Sequence, residues 1–454
     1  MEHKILTRIT ACLIAALSVM VTVACSGALT QGTAGASSTA AASGQTAAAQ
    51  PQSGESAQAG GAGLYNLSGG SASKTGETLN ATEDDQSAVL VTGDSLLTMS
   101  GMKITTIGNT SSMDSSSFYG LNAAVLAKAG SEISLADSTV ETTGTGANGV
   151  FAAGENARVK LSNVTIQCKA TGAHGVDATL GGTLTLENVN ITTAGDGAAA
   201  AIATDRGGGT ITVTGGTVLT TGAKSPAIYS TGSITATGAA MKATGSEAVV
   251  IEGKNSVTLA DCTMEGGKNY GVLIYQSMSG DADVGSGSFT MAGGILTAAE
   301  GPLFYSTNTT AVISLKNVAL SGTGVLLKAG ADQWGQSGAN GSQVWFTADT
   351  QKLLGDVVLD NISTADITLV NGSSLNGAIN SANTAKSVTI TLDKTSAWNV
   401  TEDSYVNAVT DADGTLSNIT GSATVYYDST NDANAWLGGK TFALAGGGEL
   451  RPMQ

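Results

Sequence analysis

The sequence predicts an all-β chain wound as a parallel β-helix, with three short strands per coil and about 25 residues per coil. Three observations carry that expectation. An eight-residue phrase, hydrophobic-x-hydrophobic-x-(Asn, Asp or Gly)-x-x-hydrophobic, recurs along the chain. Its copies begin at 133, 159, 184, 211, 234, 257, 289 and 313, separated by 23 to 32 residues. A fixed internal period of this kind decides an architecture before any single residue matters. Composition agrees: of 454 residues 61 are Gly, aromatics make up 4% and charged residues 12%, where an ordinary compact domain carries about 25% charge. Small, β-tolerant side chains suit an elongated array in which each unit needs only a thin core.

In chain order, the first segment stands outside the repeat. Lys4 and Arg8 are followed by an apolar run from Ile9 to Ala24, the layout of a secretory signal, so residues 1–24 are expected to be a signal peptide. The run is short of the roughly 20 residues a spanning helix needs. The junction Thr22-Val23-Ala24-Cys25 resembles a bacterial lipoprotein box, with Thr22 where Leu is usual. That resemblance implies acylation of Cys25. Residues 25–63 are Ala, Ser, Gly, Gln and Thr with almost no charge or large apolar group. Such a stretch has nothing to offset the entropy of ordering and reads as a flexible tether. A tether behind a lipidated Cys predicts a secreted, cell-surface protein held to a bacterial membrane through its lipid.

The repeat occupies 64–330. Its clearest copies include Val159-Leu161-Asn163-Ile166, Leu184-Leu186-Asn188-Ile191 and Val257-Leu259-Asp261-Met264. Alternation over the first apolar positions signals a half-buried strand. At the fifth position stand residues that tolerate a left-handed backbone, so a sharp bend is expected there. A third apolar pulse precedes each phrase, as in Val249-Val250-Ile251 and Val272-Leu273-Ile274. Helical repeats are excluded by the lack of a 3.6-residue period, and a propeller needs about 40 residues per blade. From 331 to 454 the phrase loosens, through Val357-Leu359-Asn361 and Ile367-Leu369-Asn371. Broader terminal coils and a cap are expected, with Trp334, Trp345, Trp398 and Trp436 sealing the open edge.

The coil phrase, with the stretch Lys328-Ala329-Gly330-Ala331-Asp332-Gln333-Trp334-Gly335, resembles the pectate-lyase-like group of single-stranded right-handed parallel β-helices. The likeness is closer to adhesin-like surface proteins of gut-type Gram-positive bacteria, over roughly residues 85 to 454. The hand of the helix is implied by this resemblance; the spacing alone does not show it.

Chemistry is thinly supplied. Pectate lyases use clustered Asp for Ca2+ and an Arg or Lys as base. Here Arg158 and Arg206 each precede a phrase with no Asp pair at lyase spacing, and Asp205-Arg206 reads as a solvated turn. The Asn-Thr-Asp, Gly-His-Gly and Arg-Ile-Lys motifs of polygalacturonases are not found, Ala173-His174-Gly175 being only a fragment. His174, the only His beyond the signal, reads as a solvated or stacked side chain. With one His and two separated Cys, a zinc site or a nucleophile–His pair has no material. Cys168 and Cys262 lie four repeats apart, roughly 19 Å at about 4.8 Å per coil, too far for a disulfide. Glu141, Glu155, Glu187, Glu252, Glu265 and Glu300 fall on different coils, and Asp281-Ala282-Asp283 reads as a polar loop.

The second slot of the phrase is more distinctive. It contains Thr185, Thr212, Thr235, Thr258 and Thr290, which stack as an outward ladder, a candidate surface for glycan. A net charge of −16 disfavours nucleic acid. These readings predict a non-enzymatic adhesion or glycan- and partner-binding protein without catalytic residues, metal or cofactor. The alternatives are a polysaccharide-active lyase or hydrolase of the same fold, or a passive surface spacer. An enzyme requires clustered charged residues beside one sheet. Local function is expected in the interruptions at 108–120 and 277–288 and in the Trp-bearing coils.

Overall fold

The computed structural model describes residues 61–453. The expected signal peptide, Cys25 and the tether up to residue 60 lie outside them. The fold is an all-β solenoid of about 16 turns with about 25 residues per turn. Its first turn is made of strands Ala62–Ser68, Ser71–Thr75 and Thr78–Ala81, so the expected tether end at 63 falls inside the first strand. Each strand pairs in parallel with its counterpart in the next turn, building a first sheet of 12 strands, a second of 14 and a third of 10. The second sheet contains the phrase. Its inward column reads Leu184, Ile211, Ile234, Val257, Phe289 and Ile313 in register, and each of these is buried. Removing one such side chain from water is worth about 1.5–3 kcal/mol, and each turn contributes several.

The bends follow the phrase as expected. Asp137, Asn163, Asn188, Asp261 and Asn317 hold φ between +50° and +54°, and Gly215 and Gly293 lie at +65°. The next strand then starts in the third sheet, as at Asn190–Thr193. Cys168 and Cys262 are free and buried, four turns apart in the third-sheet stack.

The first and second sheets run through the expected boundary at 330, whereas the third ends at Ala319–Ser321. Its place is taken by a four-stranded sheet that begins at Lys352–Leu354. The last turns close with a 3-10 helix, Asp432–Leu437, and an antiparallel pairing of Phe442–Ala443 with Glu449–Pro452. The tryptophans do not all seal this end. Trp398 is fully buried with its indole N–H on the Gly377 carbonyl (2.9 Å), and Trp436 donates to Val409 O (3.0 Å). Trp345 is instead 45% exposed on the second sheet, and Trp334 packs on Tyr275 at 4.7 Å.

The first sheet is unlike the other two, because its outer face is covered along its middle strands. Strands Val150–Ala153, Val176–Thr179 and Val249–Glu252 are buried at every residue. The Ser-rich interruption supplies half of the cover, since it holds a seven-residue helix, Met113–Tyr119. Ser112 caps that helix by accepting from the Ser115 N–H (3.1 Å), and Gly120 at φ +71° ends it. The loop after Val272–Tyr275, residues 276–285, supplies the other half.

A candidate site on the covered face of the first sheet

Two outward columns face the cover. One reads Phe151, Asp177, Ala203, Tyr229, Val250, Leu273 and Tyr305 along successive turns. The other includes Ala153, Thr179, Glu252, Tyr275 and Thr307. The helix lays Phe118 on this surface, and its carbonyl accepts from Thr179 Oγ1 at 2.8 Å. Arg206 stands over the Phe118 ring, its guanidinium carbon 3.8 Å from the centroid, while Nη2 reaches Asp281 Oδ1 at 2.9 Å. The two interruptions named in the sequence therefore meet through one arginine.

Beneath them lies a polar cluster. His174 enters from the turn before its strand. Its backbone N–H donates to Asn148 Oδ1 (2.8 Å), and Asn148 in turn donates to Ser116 O of the helix (3.1 Å). Its Nδ1 lies 3.3 Å from Ala200 O. A carbonyl only accepts, so this contact places the ring proton on Nδ1 and leaves the Nε2 lone pair free. Nε2 points to Asp177 Oδ2, 3.9 Å away. Ligand-type atoms of His174, Asp177 and Asp205 all lie within 4.8 Å of one another. The three residues are 2%, 0% and 8% exposed. Among the described residues His174 Nε2 and both Asp177 carboxylate oxygens lack a hydrogen-bond partner.

Burial dominates the electrostatics. It pushes the Asp177 carboxyl well above the usual range, with the charge of Asp205 adding to the effect. Burial and then Asp281 push Asp205 up to about 7. Desolvation holds His174 down to about 4, hence neutral. Glu252, three turns from Asp177 along the sheet, is satisfied differently. It accepts from Tyr229 Oη (2.6 Å), Tyr275 Oη (2.8 Å) and Ser277 Oγ of the covering loop. Aromatic contacts continue the face, with Tyr270 on Tyr305 at 4.5 Å and Tyr305 donating to Asp332 at 2.8 Å.

Several sequence expectations are overturned here. His174 is not solvated, nor is Asp205-Arg206 an open turn, because the helix and loop cover both. Glu252, Asp205 and Asp281 converge on one face, and Ala282 of the expected polar loop is buried. Glu141, Glu265 and Glu300 do remain scattered, each on a neighbouring lysine. The missed signal was in the third apolar pulse. Consecutive apolar residues, rather than alternating ones, mark a strand buried on both faces, and that makes a polar residue in its outward column a buried one.

The second-slot threonines share a register. Thr185, Thr212, Thr235, Thr258 and Thr290 pair in one register row of the second sheet; the first four are exposed and Thr290 is half-buried. The row continues from Ser73, Thr98 and Ser134 at one end to Thr347, Thr368, Thr391 and Thr410 at the other. Lys160 alone interrupts a hydroxyl series that also includes Ser314.

No family model matches the chain, and neither a curated protein nor a solved structure does.

Proposed function

We propose that this is a secreted, lipid-anchored surface protein of the adhesin-like kind, which binds a neutral glycan along the outer face of its second sheet without catalysing a reaction. The observation that carries this is the register row running through all fourteen strands of that sheet, hydroxylated at every position but Lys160. β-Propensity favours Thr on such a surface, but solubility alone places no ban on charge. The flanking columns do carry charge, at Glu187, Lys316 and Asp349 on one side and Glu132, Arg158 and Asp366 on the other. A central column of paired donors and acceptors repeating about every 4.8 Å suits an extended ligand with its own repeat. The overall charge of −16 favours a neutral polymer over an acidic one. Retention on a neutral-glycan array by the full chain, lost in a Thr212→Glu, Thr235→Glu, Thr258→Glu variant, is the expected result. Absence of glycan binding with thermal hysteresis in its place would assign the ladder to ice instead. Palmitate incorporation that persists in Cys25→Ser would sink the anchor.

A second reading has an observation of its own. Asp177, Asp205, Glu252, Asp281 and His174 cluster beside one sheet, as a polysaccharide-active enzyme requires, and displaced carboxyl titration is common at catalytic sites. The helix and loop close that cluster to a polymer, which is why it ranks second. Release of reducing or unsaturated sugar from a glycan panel, abolished in Asp205→Asn, is the outcome that would promote it.

A further inference from the structure

We propose that His174, Asp177 and Asp205 bind a divalent transition-metal ion, with Zn2+ the best match, and that this ion staples two successive turns beneath the covering helix and loop. Asp177 lies in the strand Val176–Thr179, His174 in the turn before it and Asp205 just after the neighbouring strand Ile202–Thr204, and their ligand atoms lie within 4.8 Å of one another. Bonds of about 2.0–2.2 Å to a tetrahedral ion place such atoms roughly 3.3–3.6 Å apart, so the widest gap closes by up to about 1.5 Å.

The unsatisfied atoms identify the site. His174 Nε2 and both Asp177 carboxylate oxygens are buried without a hydrogen-bond partner among the described residues, and one ligand atom each of His174, Asp177 and Asp205 lies within 4.8 Å of the others. Leaving such groups bare costs about 1–3 kcal/mol each, more where charge is involved, and one cation satisfies all three. Neighbouring polar groups are already committed. Glu252 is held by two tyrosines and Ser277, and Asp281 by Arg206. Asp205 keeps one oxygen on the Arg206 N–H (2.8 Å), leaving the other for the ion.

The surroundings are those of a metal-bound histidine. With Nδ1–H on the Ala200 carbonyl, Nε2 presents the lone pair that a cation takes, and a backbone carbonyl is a usual partner for a ligating His. One imidazole and two carboxylates suit Zn2+ or Mn2+; Ca2+ takes six to eight oxygens, which these three side chains do not offer.

The test uses the full chain, stripped with a chelator and titrated calorimetrically with Zn2+, Mn2+ and Ca2+. One Zn2+ per chain and a raised thermal midpoint are expected, with Ca2+ producing neither. His174→Gln and Asp177→Asn, which preserve shape, should each weaken Zn2+ binding at least tenfold, while Cys168→Ser leaves it unchanged. Co2+ in place of Zn2+ should give a ligand-field spectrum with no sulfur-to-metal charge-transfer band. A wild-type midpoint indifferent to Zn2+, a thiolate band, or full affinity in whichever of the two variants folds would overturn the proposal.

Discussion

Asn188 holds φ at +52°, and four other Asx residues occupy the same slot of other turns within a few degrees of it. For an L-residue with a larger or branched side chain that conformation costs about 1–2 kcal/mol, whereas Gly adopts it freely. Asn188→Val should therefore lower the urea midpoint by an amount equivalent to about 1–2 kcal/mol, and Asn188→Gly should stay within a few tenths. A second residue-scale expectation concerns acid. Asp413 is held down to about 2 by hydrogen bonds from Ser417 and Thr415. Burial opposes the same shift at Asp393, but the Asn371 N–H, Ser396 and Thr395 bring it to about 2 as well. Their folded values lie below the unfolded one of about 3.9, so the folded state binds fewer protons between these limits. The stability they contribute is complete above about pH 4 and is lost as pH falls towards 2. Thermal midpoints recorded from pH 5 to pH 2 should decline over that window, and Asp413→Asn should flatten the decline. The bends were legible because few residue types accept them; His174 was not, because its meaning depends on what covers it.

The helix Met113–Tyr119 is too short to persist by itself, so its place depends on the face it covers. Phe118 is its anchor, 8% exposed and pressed beneath Arg206. Phe118→Ala should cost about 3–5 kcal/mol and unseat the cover locally. Hydrogen exchange should then quicken in Val176–Thr179 of the first sheet while Leu184 to Glu187 of the second keeps its protection. Equal acceleration in both would show that Phe118 serves the solenoid generally. At this scale the sequence was half readable. The strands followed from alternation, and the two interruptions were visible as breaks in the period. Their meeting was not visible, because nothing in a linear spacing says that residues 118, 206 and 281 share one spot. The run Val249-Val250-Ile251 held the available hint, since three apolar residues in succession need cover on both sides.

In the whole molecule each turn touches chiefly the next, so stability accumulates turn by turn and the ends are the weak points. The C-terminal end is closed by the 3-10 helix and by the antiparallel hairpin at Phe442–Ala443 and Glu449–Pro452. Deleting residues 431–454 leaves the strand Thr424–Tyr427 with a bare edge, and bare edges recruit other chains. Light scattering should then show mass rising more steeply with concentration than for the intact chain. The solenoid was legible from the period alone; the change of sheet after Ser321 was not, because the phrase loosens there without announcing a new pairing. The arginine clasp has a mechanical consequence. It ties turns near residue 118 to a loop near residue 281 across a stack that otherwise transmits force only between neighbours. Under tension along the axis, a plain solenoid peels one turn at a time. Here the clasp should act as a splint, so that the middle turns are expected to yield together after the ends have frayed.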